Sequence, residues 1–159
     1  MTNPTTVRVG VVDVYVVRIV RGRWKVLVLR RQAPGRSPGS WETVHGRVER
    51  GESLPQAACR ELREETGLTP DRLYSVTVHP FYLHRTGEVQ LAAVFAAFVS
   101  SDAVTTADEH DAYEWLTPTA ATKRFSWPRE AEAIAHIRKL FPNGHGGAVD
   151  DVLRMPLDE

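Results

Sequence analysis

Arg60, Glu61, Glu64 and Glu65, with Glu52 shortly before them, are the residues of this 159-residue chain whose types and spacing point most directly to chemistry. On a helix from Leu54 to about Thr66, at about 100° per residue, Leu54, Ala57, Ala58 and Leu62 form an apolar arc. Glu61 and Glu65 project into the same arc and Glu64 lies on its border, while Gln56, Cys59 and Arg63 occupy the opposite side. A glutamate-rich helix is ordinarily a solvated face, but this phase aims carboxylates at the interior edge. Ionised carboxylates packed together repel one another and are costly to desolvate, so they need arginine, a hydrogen-bond network or a cation. Arg60 can neutralise one of them and Arg63 points away, which leaves an acidic pair in need of charge. Hard oxygen ligands at neighbouring helical positions suit Mg²⁺, or Mn²⁺ as a substitute, better than zinc.

The surrounding elements must hold that helix in place. Ser53 suits an N-cap and Gly67 a left-handed C-cap. Val7–Val20 is dominated by β-branched residues, turns at Arg21-Gly22-Arg23 and returns as a second strand over Trp24–Arg30. The Pro- and Gly-rich stretch 32–40 predicts a loop leading to a short strand near Trp41–Val44. Leu73–Leu83 and Val89–Val99 read as a hairpin around Arg85-Thr86-Gly87-Glu88, although alanines weaken the second strand. A polar loop over Ser100–Asp108, a short strand over Ala112–Leu116 and an amphipathic helix over Pro128–Leu140 follow, and Pro142 stops that helix. The tail 142–159 is expected to be flexible, with Val152, Leu153, Met155 and Leu157 able to dock on a neighbour.

Residues 46–68 read Gly-Arg-Val-Glu-Arg-Gly-Glu-Ser-Leu-Pro-Gln-Ala-Ala-Cys-Arg-Glu-Leu-Arg-Glu-Glu-Thr-Gly-Leu. This resembles the Nudix box, G-x5-E-x7-R-E-U-x-E-E-x-G-U with U a bulky apolar residue. Gly46, Glu52, Arg60, Glu61, Leu62, Glu64, Glu65, Gly67 and Leu68 all fall in place. The resemblance implies an α/β fold, a Nudix-type α/β/α sandwich with a mixed central β-sheet. It implies one domain over residues 1–159, with its core over about 7–141. It also implies hydrolysis of a nucleoside diphosphate linked to another group, by attack of a metal-activated water on phosphorus. By the same analogy Glu61, Glu64, Glu65 and the Gly46 carbonyl hold Mg²⁺, and Arg60 orients Glu52 and a ligand carboxylate through ion pairs. Glu64 within the box and Glu109 on the loop after the hairpin are both candidates for the general base, and His110 can titrate near neutrality. Glu109 and His110 read equally well as solvated loop residues.

Most Nudix proteins place Pro-Gly-Gly at the entry to the box, where this chain has Val44-His45-Gly46. Leu29-Arg30-Arg31 before a Pro-Gly loop, Trp41-Glu42-Thr43-Val44, and Glu109-His110-Asp111-Ala112-Tyr113-Glu114-Trp115-Leu116 resemble the bacterial dATP/dihydroneopterin triphosphate pyrophosphohydrolase branch. Phe125-Ser126-Trp127 and the C-terminal helix match that style of ending. The implied reaction splits a nucleoside or pterin triphosphate between its α and β phosphates, giving a monophosphate and pyrophosphate. Arg30 or Arg31 can clamp a phosphate, and Trp41, Phe81, Tyr82 or Tyr113 can stack on a flat ring, though each aromatic also suits the core. A hydrolase of dinucleoside polyphosphates is the second expectation. A ligand-sensing module is the third, less favoured because no box carboxylate is lost.

Composition bounds the remaining classes. Lys plus Arg and Asp plus Glu number 20 each, so the formal charge is zero and nothing favours gripping a nucleic acid. The longest apolar run, Leu91–Val99, is far too short for a membrane-crossing helix, and the N-terminal residues lack the pattern of a signal peptide. A single cysteine, Cys59, agrees with a reducing compartment, and the chain is expected to be cytoplasmic. Exposed strand edges leave room for a homodimer.

Overall fold

Valines dominate the central strand because it is covered on both faces. The computed structural model describes residues 3–157, so the expectations for Met1, Thr2, Asp158 and Glu159 lie outside the described residues. Strand β1 (Val7–Val20) sends Val12, Val14 and Val16 into one buried cluster and Tyr15 and Val17 into another. Such a two-sided strand needs a near-continuous β-branched run. Arg21 and Gly22, both at positive φ (52° and 73°), turn the chain tightly into β2 (Arg23–Arg31).

The sheet is mixed. Its strands are ordered β3 (Trp41–Glu42), β2, β1, β6 (Glu88–Phe98), β5 (Arg72–Leu83) and β8 (Arg154–Met155); β4 (Val44–Arg47) pairs with β1 and β7 (His110–Leu116) with β2. Only β1 and β6 run parallel among these pairs; the rest are antiparallel. Helix α1 (Leu54–Thr66) packs on the face carrying Val12, Val14 and Phe95, and α2 (Pro118–Arg124) and α3 (Pro128–Leu140) cover the other. These layers are the expected α/β/α sandwich. All four alanines of β6 are buried, and burial on both faces overrides their low strand propensity.

Two regions differ from the sequence reading. The sequence assigns no element to 117–127, where the structure forms α2 behind a Thr117 cap; one short helix shows no apolar period. The described part of the tail, to Leu157, is ordered. A 3₁₀ turn (Gly147–Val149), α4 (Asp150–Leu153) and β8 fold it back onto β5, with Leu73 opposite Met155. The Tyr74 hydroxyl donates to Asp150 Oδ1 at 2.5 Å, and Leu153, Met155 and Leu157 pack on the core while Val152 stays exposed. Dispersed apolar residues give no periodic signal, so the docking is tertiary in origin. No helix of the described residues is long and apolar enough to cross a membrane.

Candidate active site

Helix α1 is fixed at both ends by its own sequence. Ser53 and Gln56 form a reciprocal capping box, Pro55 occupies the first turn, and Gly67 at φ 76° donates its amide to the Arg63 carbonyl. With Ala57, Ala58 and Leu62 against the sheet, the helix phase buries Glu65, half-buries Glu61 and leaves the Glu64 side chain 58% exposed.

Arg60 ties the acidic side chains together. Its Nε and Nη2 grip Glu52 at 2.7 and 3.0 Å, its Nη1 donates to Glu61 at 2.7 Å and Glu64 at 3.2 Å, and Nη2 also reaches the Arg47 carbonyl at 2.7 Å. The bond from Arg60 holds the Glu52 carboxyl below the usual range, and the Glu49 amide adds a further donor at 2.9 Å. Burial raises Glu61, aided by the charges of Glu64 and Glu109, against the opposing pull of Arg60. A Cβ built on Gly46 would stand 1.9 Å from Glu61 Cδ, so only glycine lets β4 pass this close to the carboxylate.

Glu65 lies beyond the reach of that arginine. It is 4% exposed with Oε2 unpartnered, and burial pushes its pKa up to about 10, with help from the charges of Glu61, Glu109 and Glu42. The backbone of His45 only partly relieves it. A buried, unneutralised carboxylate among other carboxylates fits a divalent cation. Among the described residues no three acidic, imidazole or thiol side chains already stand at metal-ligand spacing, because Glu61 and Glu64 turn oxygens toward Arg60.

Glu109 is exposed on the loop before β7, its carbonyl pinned by the Gln32 amide at 3.0 Å, and its charge is felt at Glu61 and Glu65. His110 is buried rather than solvated, with Nε2 2.9 Å from Glu42 Oε1. Arg31 Nη1 meets the same oxygen at 3.1 Å and its Nε donates to the Arg36 carbonyl, so this guanidinium is already engaged. Arg30 pairs with Asp111 at 2.7 Å. The Trp41 ring is flanked by Arg30 and Arg124 at 5.8 and 4.8 Å, and Tyr113 stands exposed on β7 opposite Leu29. Sequence reasoning missed Glu42, which joins Arg31 and His110 beside the acidic cluster. It also missed Asp13, whose signal was one acid inside a run of valines.

An α/β/α sandwich with a carboxylate-bearing helix against a glycine strand defines a Nudix hydrolase domain. A family model described as NUDIX domain matches residues 9–137, and the chain belongs to the Nudix family. It is 39% identical over 124 residues to an octanoyltransferase of Myxococcus xanthus, a match covering 74% of this chain but only about a third (34%) of that protein. It is 29% identical over 130 residues to the dihydroneopterin triphosphate diphosphatase of Escherichia coli K12, covering 73% of this chain and 85% of the relative. The structure of the E. coli dihydroneopterin triphosphate pyrophosphohydrolase superposes with a TM-score of 0.63 at 26% identity, covering 84% of this chain and 96% of that one.

Proposed function

We propose that the protein is a Mg²⁺-dependent pyrophosphohydrolase that cleaves a nucleoside or pterin triphosphate between its α and β phosphates, releasing a monophosphate and pyrophosphate. The observation that carries this reading is the acidic cluster of α1 pressed against Gly46, with Arg60 neutralising one side and Glu65 left unneutralised. The similarity to the E. coli diphosphatase supports the triphosphate class. Glu61, Glu64, Glu65 and the Gly46 carbonyl would hold the cation, which when bound neutralises phosphate oxygens and lowers the pKa of water.

The chain's own residues then divide the work. Arg60 fixes the rotamers of Glu52, Glu61 and Glu64, so that the carboxylates are ordered before substrate arrives. Glu64 and Glu109 are both exposed and able to take the proton of the attacking water. Replacing each by Gln and recording pH–rate profiles assigns that role: the true base loses the acidic limb, the other keeps it.

Ion-exchange analysis of products from deoxynucleoside triphosphates, dihydroneopterin triphosphate and diadenosine tetraphosphate, with Mg²⁺ and with Glu64→Gln as control, tests the reaction. Pyrophosphate plus a monophosphate from the triphosphates is the expected result. ATP plus AMP from diadenosine tetraphosphate alone would replace it with the dinucleoside reading.

A further inference from the structure

Three strands meet beneath the loop that carries Glu109. Leu29 of β2 pairs with Glu42 of β3 on one edge and with Tyr113 of β7 on the other, and its side chain packs in the cluster under α1. Directly opposed residues, and residues two apart along a strand, share a face, so Glu42 and Arg31 project on the α1 side. A register shift between Arg30 and Arg31 leaves Asp111 as the extra residue of β7 and sets His110 opposite Arg31. The three side chains converge on one atom: Glu42 Oε1 lies 3.1 Å from Arg31 Nη1 and 2.9 Å from His110 Nε2.

This knot is closed to substrate. The His110 side chain is 0% exposed and that of Glu42 only 13%. A carboxylate can only accept, so His110 Nε2 carries the shared hydrogen, while Nδ1 is buried without a partner. Burial pushes the Glu42 carboxyl up, but the hydrogen bond of His110 and the charge of Arg31 outweigh it and hold the group below the usual range. A buried ion pair is weak support for a fold, and this one adds a charge that Glu65 feels beside an already acidic cluster. Such a carboxylate needs another reason to be there, and the position of Glu109 supplies it.

Glu109 immediately precedes the anchored ring. Its carbonyl accepts from the Gln32 amide at 3.0 Å, one residue beyond Arg31, and the His110 amide donates to the Ala107 carbonyl at 3.1 Å. The backbone is thus fixed on both sides of Glu109, while its carboxylate makes no hydrogen bond or ion pair among the described residues and its charge reaches Glu61 and Glu65. Glu64, by contrast, already accepts from Arg60 Nη1 at 3.2 Å. We propose that Glu42 and His110, together with Arg31, are positioning residues that hold the exposed Glu109 carboxylate toward the acidic cluster of α1, where it takes the proton of the attacking water. None of the three touches substrate. The proposal rests on the hydrolytic reading above.

Two measurements test it: steady-state hydrolysis of a deoxynucleoside triphosphate with Mg²⁺, and amide hydrogen exchange of the protein in a chelator. The variants are His110→Phe, Glu42→Leu and Glu109→Gln, with each of the first two also combined with Glu109→Gln. Melting curves check every variant, and Glu42→Leu, at the partly exposed end of the knot, keeps the test open if His110→Phe fails to fold. His110→Phe and Glu42→Leu should each lower kcat by about 10- to 100-fold, the scale for losing a group that orients another, with KM nearly kept. That loss should vanish in the double variants, which should be no slower than Glu109→Gln alone, because residues acting through one another are not additive. The Gln32 amide, bonded to the Glu109 carbonyl, should exchange faster in both single variants while the amides of β1 keep their protection. Wild-type turnover by Glu109→Gln, losses that multiply in a folded double variant, or unchanged exchange at Gln32 would overturn it. If the wild type hydrolyses no triphosphate, the hydrolytic reading fails separately. Exchange then decides: faster opening at Gln32 in Glu42→Leu upholds the anchoring of Glu109, and equal exchange rejects it.

Discussion

Gly46 and Glu61 are in contact to the point of excluding any side chain: a Cβ on Gly46 would fall 1.9 Å from Glu61 Cδ and 2.1 Å from its Oε1. The glycine is kept for proximity, since its φ is not among the positive values of the chain. Gly46→Ala should therefore fold, yet push the Glu61 carboxylate aside and lower kcat by about 100-fold, the scale expected for misplacing a catalytic group by about 1 Å. A melting curve beside a turnover assay checks this, and wild-type turnover would show that the contact is incidental.

Arg60 is the second fixed point, because one guanidinium satisfies Glu52, Glu61, Glu64 and the Arg47 carbonyl. Lysine keeps the charge but lacks the planar fork. Arg60→Lys should lower turnover by roughly 10- to 100-fold, as losses of ligand-orienting residues do. Arg60→Gln should also lower the denaturant midpoint, since three carboxylates lose their counter-charge. Turnover by Arg60→Lys equal to wild type would reduce the network to simple charge balance.

Glu130 sets a pH signature. Burial pushes its pKa up to about 8, assisted by the charges of Asp13 and Glu42 and opposed by the Thr43 amide, which donates to its Oε2 at 2.7 Å. The unfolded carboxyl titrates near its ordinary value of 4.5. The folded state thus holds a proton that the unfolded state releases, and the contribution of this group is fullest below the unfolded value and is lost as pH rises toward about 8. Between those limits the slope is at most about 1.4 kcal/mol per pH unit. Urea unfolding of wild type and Glu130→Gln across pH 5–8 in a chelator should show a falling stability that the variant flattens; parallel curves would contradict it.

Much of this was legible in the sequence because it is local. The helix phase of Leu54, Ala57, Ala58 and Leu62 places Glu65 inside and Glu64 on the border, where the structure leaves it largely exposed, and Ser53 and Gly67 mark the ends of α1. What the sequence hid depends on contacts across the sheet. Arg31 reads as a free phosphate clamp until it is seen to share the Glu42 Oε1 oxygen with His110. The contact between His45 and Asp13 depends on the pairing of β4 with β1. The tail reads as flexible because its anchor, Tyr74 to Asp150, joins residues 76 positions apart.

That anchor gives a structural prediction separate from catalysis. Tyr74→Phe removes the hydroxyl donated to Asp150 and should cost about 1 kcal/mol. It should also speed tryptic cleavage after Arg154, leaving turnover at the wild-type level. Unchanged proteolysis would mean that β8 pairing alone holds the tail.

The central claim is that the carboxylates of α1 hold a divalent cation that supports anhydride hydrolysis. The most direct measurement is pyrophosphate release from a triphosphate against Mg²⁺ concentration, for wild type, Glu61→Gln and Glu65→Gln. Strict Mg²⁺ dependence in wild type, with both variants folded but slower by about 100-fold or more and demanding higher Mg²⁺, is the predicted result. Release that persists in a chelator, or that both variants sustain at the wild-type rate and Mg²⁺ requirement, would contradict it.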